Sequence, residues 1–405
     1  MAGDQRIDPR DAAFFTRDDY YEVLAQLRAE DPVHQCDSGF WVLTRYEDIR
    51  DLSRDPQRFC SGRGALVNDP IRTMGTTMSG RSILHMDPPE HAAFRGLVNR
   101  RFTPRALAGL SESIQKSASK LFEAVETREE IDFVAELSAP FPIMVIAELL
   151  GIDETDREDF RRWSDAAIES PDLPPEETMA AVGELSAFIV EHIRSKRQRP
   201  GDDLVSLLVS SEVDGQPLTK EDLFMFLLTL LVAGNETTRT LLSGSALALS
   251  EHSSQRAALA ADAALIPGAV EECLRWVTPV HAFCRTAMED AVLSGVSVSE
   301  GDYLCMLYAS ANRDERVFGD DADHFDVRRV TVPVHLAFGF GEHVCLGASL
   351  ARLEARLFVE ELLARYPGYA VTGSVERVLS TTVAGIRSLP VVLAPAGAAA
   401  PSAGS

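Results

Sequence analysis

Residues 338–352 read FGFGEHVCLGASLAR. One cysteine, Cys345, stands among Gly339, Gly341 and Gly347. Glycine tolerates tight and left-handed backbone that other residues resist, and it costs conformational entropy. Such a run marks a forced geometry or a closely approaching ligand. Leu350, Leu353, Leu357 and Phe358 follow at helical spacing, which predicts a helix over 347–365. Cys345 then sits just ahead of a helix N-terminus, where free amides and the helix dipole favour a thiolate. A Gly-rich turn around a buried, inert thiol is the alternative, since free cysteines are commonly buried and unreactive.

Upstream of this loop, apolar periodicity predicts helices at 19–29, 46–53, 90–100, 106–127, 140–150, 154–168, 176–198, 202–210, 219–252, 255–262 and 265–277. Three prolines in 168–177 mark a helix-stopping connection. Strand-like pieces occur at 40–46, 291–297, 302–308 and 389–393. The segment 61–82 has four glycines and no period, and a loop of that length is usually functional. No linker separates two cores. The expectation is one mainly α domain over 1–393 with a small β part, then a low-complexity, disordered tail at 394–405.

The 405 residues carry a net charge of −23. Such a surface repels nucleic acid and anionic membranes, so neither is expected as a partner. Six cysteines without a C-x-x-C imply a reducing compartment, with no disulfide framework and no zinc site. The first 30 residues have no signal-peptide apolar stretch, and the apolar run near 223–233 is too short to span a bilayer. A cytoplasmic monomer without a membrane anchor is expected.

Four further segments carry chemistry. In 219–252, Thr219 and Asp222 have capping-box spacing, and the helix, if unbroken, is about 50 Å long. Its middle reads AGNETT, 233–238. Ala233 and Gly234 allow close approach to the backbone, while Glu236 and Thr237 set a carboxylate beside a hydroxyl, a pairing suited to proton relay. A kinked helix with a solvated polar face is the bland alternative. In AVEECLRW, Glu272 and Arg275 share a helix face and can pair, with Arg329 of FDVRR as a third partner. In DPPEHAAFR, with Asp87 as a cap, His91 and Arg95 lie at i, i+4 and could clamp a carboxylate. Arg285 and His343 are cations of the same kind.

Together and in this order, DPPEHAAFR, AGNETT, the ExxR, NRD with FDVRR, and FGFGEHVCLG resemble the cytochrome P450 family, specifically its soluble bacterial haem-thiolate monooxygenases. The resemblance covers about 15–393 and implies the cytochrome P450 fold, with a long central helix crossing the haem. It implies that Cys345 is the axial thiolate of haem b, pushing electron density onto the iron. Phe338 and Gly339 would pack close to the porphyrin, and Gly347 would start the next helix against it. His91, Arg95, Arg285 and His343 would pair with the haem propionates. Glu272, Arg275 and Arg329 would form a buried structural triad. Ala233 and Gly234 would make the groove for O2, and Glu236 with Thr237 would relay protons.

The resemblance also implies a monooxygenase drawing electrons from NAD(P)H through a ferredoxin and a ferredoxin reductase, since no flavin domain follows residue 393. Arg100, Arg101 and Arg105 would dock an acidic partner. A peroxide-driven peroxygenase and a non-catalytic haem protein rank below it, because the acid–alcohol pair is intact. Leu66, Val67, Met74, Met78, Phe226, Val280, Phe283 and Val383 suggest a hydrophobic pocket, with His281 and Thr382 to orient a polar end. The substrate expected is a steroid, lipid or terpenoid, with a macrolide or aromatic secondary metabolite as the alternative.

Overall fold

The central helix fixes everything around it. Thr219 Oγ1 accepts from the Asp222 amide and Asp222 accepts from the Thr219 amide, so the capping box closes at the predicted place. Lys220–Glu251 then runs unbroken for 32 residues, about 48 Å at 1.5 Å per residue. The AGNETT centre does not break it. Thr237 Oγ1 donates back to the Ala233 carbonyl at 2.6 Å, satisfying the hydroxyl within the helix. Leu223, Leu227, Leu231, Leu241, Leu242 and Leu249 bury this helix against Pro140–Leu149, Ile266–Val277 and Ala348–Arg365. Where it meets the end of Ile266–Val277 the approach is so close that a Cβ on Gly244 would lie 2.6 Å from Val277.

The computed structural model describes residues 7–75, 82–168, 175–330 and 334–394. Met78 and the tail beyond Ala394 lie outside them. Helices appear where apolar period predicts them, with trimmed ends. The 106–127 expectation resolves into Pro104–Leu107, a 3-10 turn, and Ser111–Ala124. The segment 61–82 holds an unexpected short helix, Pro70–Met74, capped by Asp69. An Asp followed by Pro at the first helical position is the signal that was present for it. Asp87 does not cap the Glu90–Val98 helix; it accepts from the Ser61 and Gly62 amides at 2.7 and 2.9 Å and ties that loop down.

The β part is a five-stranded sheet ordered Val33–Gln35, Trp41–Leu43, Tyr303–Leu307, Ala282–Ala287, Phe59–Cys60, parallel only between the second and third. The 291–297 strand expectation is a hairpin, Ala291–Leu293 with Val296–Val298, turning through Ser294 and Gly295 at positive φ. A second sheet joins Ala370–Val371, Pro390–Val392 and Glu130–Asp132. One apolar core of helices and two smaller clusters on either face of the large sheet hold the layers together.

Candidate active site

Cys345 lies two residues before Gly347, the N-cap of Ala348–Arg365. Gly339 and Gly341 have φ of +68° and +71°, the left-handed region that favours glycine. A Cβ on Gly341 would also run into the Ser53 carbonyl. Gly347 is different: its φ is −81°, and its smallness keeps the backbone beside the Cys345 sulfur, 3.9 Å from where a Cβ would sit. The Cys345 amide donates to the Phe338 carbonyl at 2.8 Å, closing the loop. Of the six cysteines, all free, five are buried and Cys345 alone is exposed. Protein nevertheless surrounds the thiol. That burial pushes its pKa up, opposed by the Gly347 amide and the charges of Arg95 and Arg352.

The central helix shows an anomaly. Leu231 and Asn235 are buried, yet Ala233 and Val232 between them are exposed, although this helix is the core of the molecule. Ala233 and Thr237, one turn apart, therefore face open space. Glu236 reaches toward Gly385, its Oε1 3.5 Å from where a Cβ there would sit. Gly234, beside them, also serves helix packing. A Cβ on it would lie 3.1 Å from Ile146 Cδ1, so it lets Pro140–Leu149 pack close.

Two arginines and two histidines converge beside the cysteine loop. The rings of His91 and His343 lie 4.1 Å apart. Arg95 Nη1 donates to the Glu342 carbonyl at 3.1 Å, and Arg285 Nη1 donates to its neighbour's carbonyl, that of Cys284, at 2.7 Å. Among the described residues neither arginine has a carboxylate ion pair. Burial, then Arg285 and His91, push the His343 pKa down to about 3. Burial and Arg95 push His91 down as well. Glu342 belongs to this cluster, its Oε1 3.5 Å from His343 Nε2, but burial and Asp87 push its carboxyl up. The cluster is short of negative charge, and two carboxylates of a ligand would supply it.

Glu272 and Arg275 behave oppositely. Both side chains are 0% exposed and pair bidentately at 2.7 and 2.7 Å. Arg275 also donates to the carbonyls of Asn312, Ala322 and His324, and Arg329 Nε lies 3.3 Å from Glu272. The triad is complete within the protein.

The expected pocket wall assembles in part. Val280 bridges Val383, and the His281 amide donates to the Thr382 carbonyl at 2.8 Å, so these two segments meet. The Leu66 carbonyl accepts from Tyr303 Oη at 2.7 Å, and the neighbouring Ala65 carbonyl accepts from the Cys284 amide at 2.8 Å, beside Phe283. Phe283 is half-buried in the same strand as Arg285. Other expected wall residues are spent elsewhere. Val67 is sealed in the N-terminal cluster and Phe226 in the helical core. Met74 is 66% exposed. The His281 ring stacks on Phe15 at 4.1 Å, and burial pushes its pKa to about 3, so it is part of the packing. Sequence reasoning missed Asp69, buried and bonded to the Ala65, Leu66 and Ile71 amides and to His85, which fixes the Leu66 wall.

A cytochrome P450 family model matches residues 248–368. The linalool 8-monooxygenase of Pseudomonas putida is 35% identical, covering 96% of this chain and 100% of that protein. A steroid C26-monooxygenase of Mycobacterium tuberculosis is 37% identical over 96% and 97%. A Mycobacterium marinum cytochrome P450 solved in complex with pseudoionone superposes with a TM-score of 0.86 at 35% identity, covering 94% and 97%. With an exposed thiol at a helix start, a continuous central helix and near full-length likeness to such enzymes, this chain belongs to the cytochrome P450 family.

Proposed function

We propose that Cys345 is the axial thiolate of the haem used by this monooxygenase, and that the enzyme hydroxylates a hydrophobic small molecule of the steroid, lipid or terpenoid class. The observation that carries the reading is one exposed thiol beside a cluster in which, among the described residues, neither Arg95 nor Arg285 has a carboxylate partner, together with a central helix bared at Ala233. These residues fit haem: a sulfur for the iron, and His91, Arg95, Arg285 and His343 for the two propionates. When bound, the haem supplies the reductive activation of O2 and the insertion of one oxygen atom into a C–H bond.

The chain's own residues do the rest. The Gly347 amide and Arg95 hold charge on the Cys345 sulfur. Thr237 Oγ1 keeps its proton on the Ala233 carbonyl until an acceptor enters the crevice, and Glu236 beside it replaces that proton. Replacing Thr237 by Ala is expected to cut product formed per NAD(P)H consumed while leaving the absorption spectrum intact. The apolar walls from Leu66, Val280, Phe283 and Val383 exclude water and hold an apolar substrate.

Electrons arrive from a ferredoxin and its reductase. Arg100 and Arg105 are exposed, while Arg101 pairs with Asp202 at 2.7 Å. These arginines suit an acidic partner. Reversing Arg100 and Arg105 to Glu should slow electron transfer several-fold at low salt; an unchanged rate with every ferredoxin tried would remove this surface from consideration. The substrate class is tested by titrating steroids, fatty acids and terpenoids into the oxidised enzyme. A saturable spin-state shift with one class identifies it. A shift only with macrolides or aromatic metabolites would replace the reading with a biosynthetic tailoring enzyme.

A further inference from the structure

The helix Ile266–Val277 offers two neighbouring glutamates to two different networks. Glu272 turns to Arg275 and Arg329. Glu271 turns toward the cysteine loop. Arg352 donates to it bidentately, Nε and Nη2 at 2.6 and 2.8 Å. His335, whose side chain is 0% exposed, places Nε2 3.3 Å from the same carboxylate. Burial pushes the Glu271 carboxyl up, but Arg352 and His335 outweigh it and hold it at about 2. The Arg352 guanidinium carbon lies 4.6 Å from the centroid of the Phe338 ring, and the His335 ring lies 5.9 Å from that ring. Phe338 in turn accepts the Cys345 amide at 2.8 Å. Anchor, cation, ring and cysteine therefore form one connected unit.

We propose that Arg352 is a positioning residue for Cys345: anchored by Glu271 and seated on Phe338, it sets a fixed positive charge beside the thiolate and makes the site easier to reduce. The proposal rests on the reading of Cys345 as the haem thiolate. One-electron reduction adds negative charge to a site that already carries a thiolate, and a nearby cation favours the reduced state. A guanidinium suits this task because it stays charged at every accessible pH and its planar fork matches the Glu271 carboxylate. Arg95, on the opposite approach, donates to a loop carbonyl rather than to an anchoring carboxylate.

The test uses the haem-loaded full chain as wild type, R352K, R352Q and E271Q, with reduced, carbon monoxide-bound spectra and the one-electron midpoint potential as readouts. R352Q is expected to move the reduction equilibrium about tenfold toward the oxidised side, about 59 mV for one electron. R352K should recover most of that. E271Q should move the equilibrium the other way, because the same cation loses its opposing charge. An R352Q potential within about twofold of wild type on this scale, or an R352K potential displaced as far as R352Q, overturns the proposal. If R352Q fails to retain haem, E271Q decides: a shift toward the reduced side supports the proposal, and no shift or the opposite shift overturns it. A wild-type spectrum without a red-shifted Soret band would sink the reading of Cys345 itself, a separate failure from equal potentials in spectrally normal variants.

Discussion

Two clusters of buried arginine in this molecule look alike in composition and differ in completeness. Around Glu272, the charges of Arg275 and Arg329 meet a carboxylate and several carbonyls, and the cluster is closed. Around His91 and His343, the charges of Arg95 and Arg285 meet carbonyls and imidazoles that burial keeps from protonating. A buried charge needs a partner, so one that finds it inside the protein is structural and one that does not awaits a ligand. The difference separates scaffold from binding site without any appeal to sequence motifs.

The largest expected effect is on the closed cluster. Arg275→Met takes the bidentate partner from buried Glu272 and the Arg275 donor from the Asn312 and Ala322 carbonyls, and should cost about 3–5 kcal/mol. That is a large share of a typical domain stability of about 5–15 kcal/mol. Chemical denaturation of the apoprotein measures it, and the midpoint should fall steeply. A near-wild-type midpoint would erase the contrast between the clusters.

Next comes the open cluster. Arg285→Ala removes a charge-assisted contact worth about 1.5–3 kcal/mol to a ligand anion, so haem affinity should fall roughly 10–100-fold at about 1.4 kcal/mol per decade. The apoprotein should be no less stable, since a repelling cation has gone. Haem titration and apoprotein denaturation, run together, read both quantities. A loss of apoprotein stability matching Arg275→Met would make Arg285 scaffold as well.

The smallest effect is in pH. His91 and His343 are bases whose pKa values fall on folding, His343 to about 3 from 6.5. The unfolded chain therefore binds more protons than the folded one below the ordinary histidine value. Apoprotein stability should be fully present above about pH 6.5 and decline as pH falls below it. Ligand carboxylates would raise both pKa values, so haem should flatten that slope. Melting temperatures at several pH values, with and without haem, check it; equal slopes would mean that no anion enters the cluster.

Much of this was legible in the sequence where chemistry is local. The capping box of Thr219 and Asp222, the i, i+3 pair Glu272–Arg275 and the Gly339 and Gly341 turns all act within a few residues. The strands were harder. Ala282–Ala287 is buried along most of its length, so it lacks alternation, and Val33–Gln35, Phe59–Cys60 and Glu130–Asp132 are two or three residues long and owe their pairing to distant partners. The Glu271–Arg352 clamp spans 81 positions, so no spacing announces it. Phe226 reads as pocket wall from its place on the central helix, but the helix's rotation, which buries Phe226 in the core, is decided by packing.

The most direct measurement is the absorption spectrum of the reduced, carbon monoxide-bound protein, for wild type and for Cys345→His. The account predicts a strongly red-shifted Soret band in wild type, lost in the variant while haem remains held by the His91–Arg285 cluster. A wild-type band at the imidazole-ligated position, or a red-shifted band surviving in Cys345→His, would contradict it.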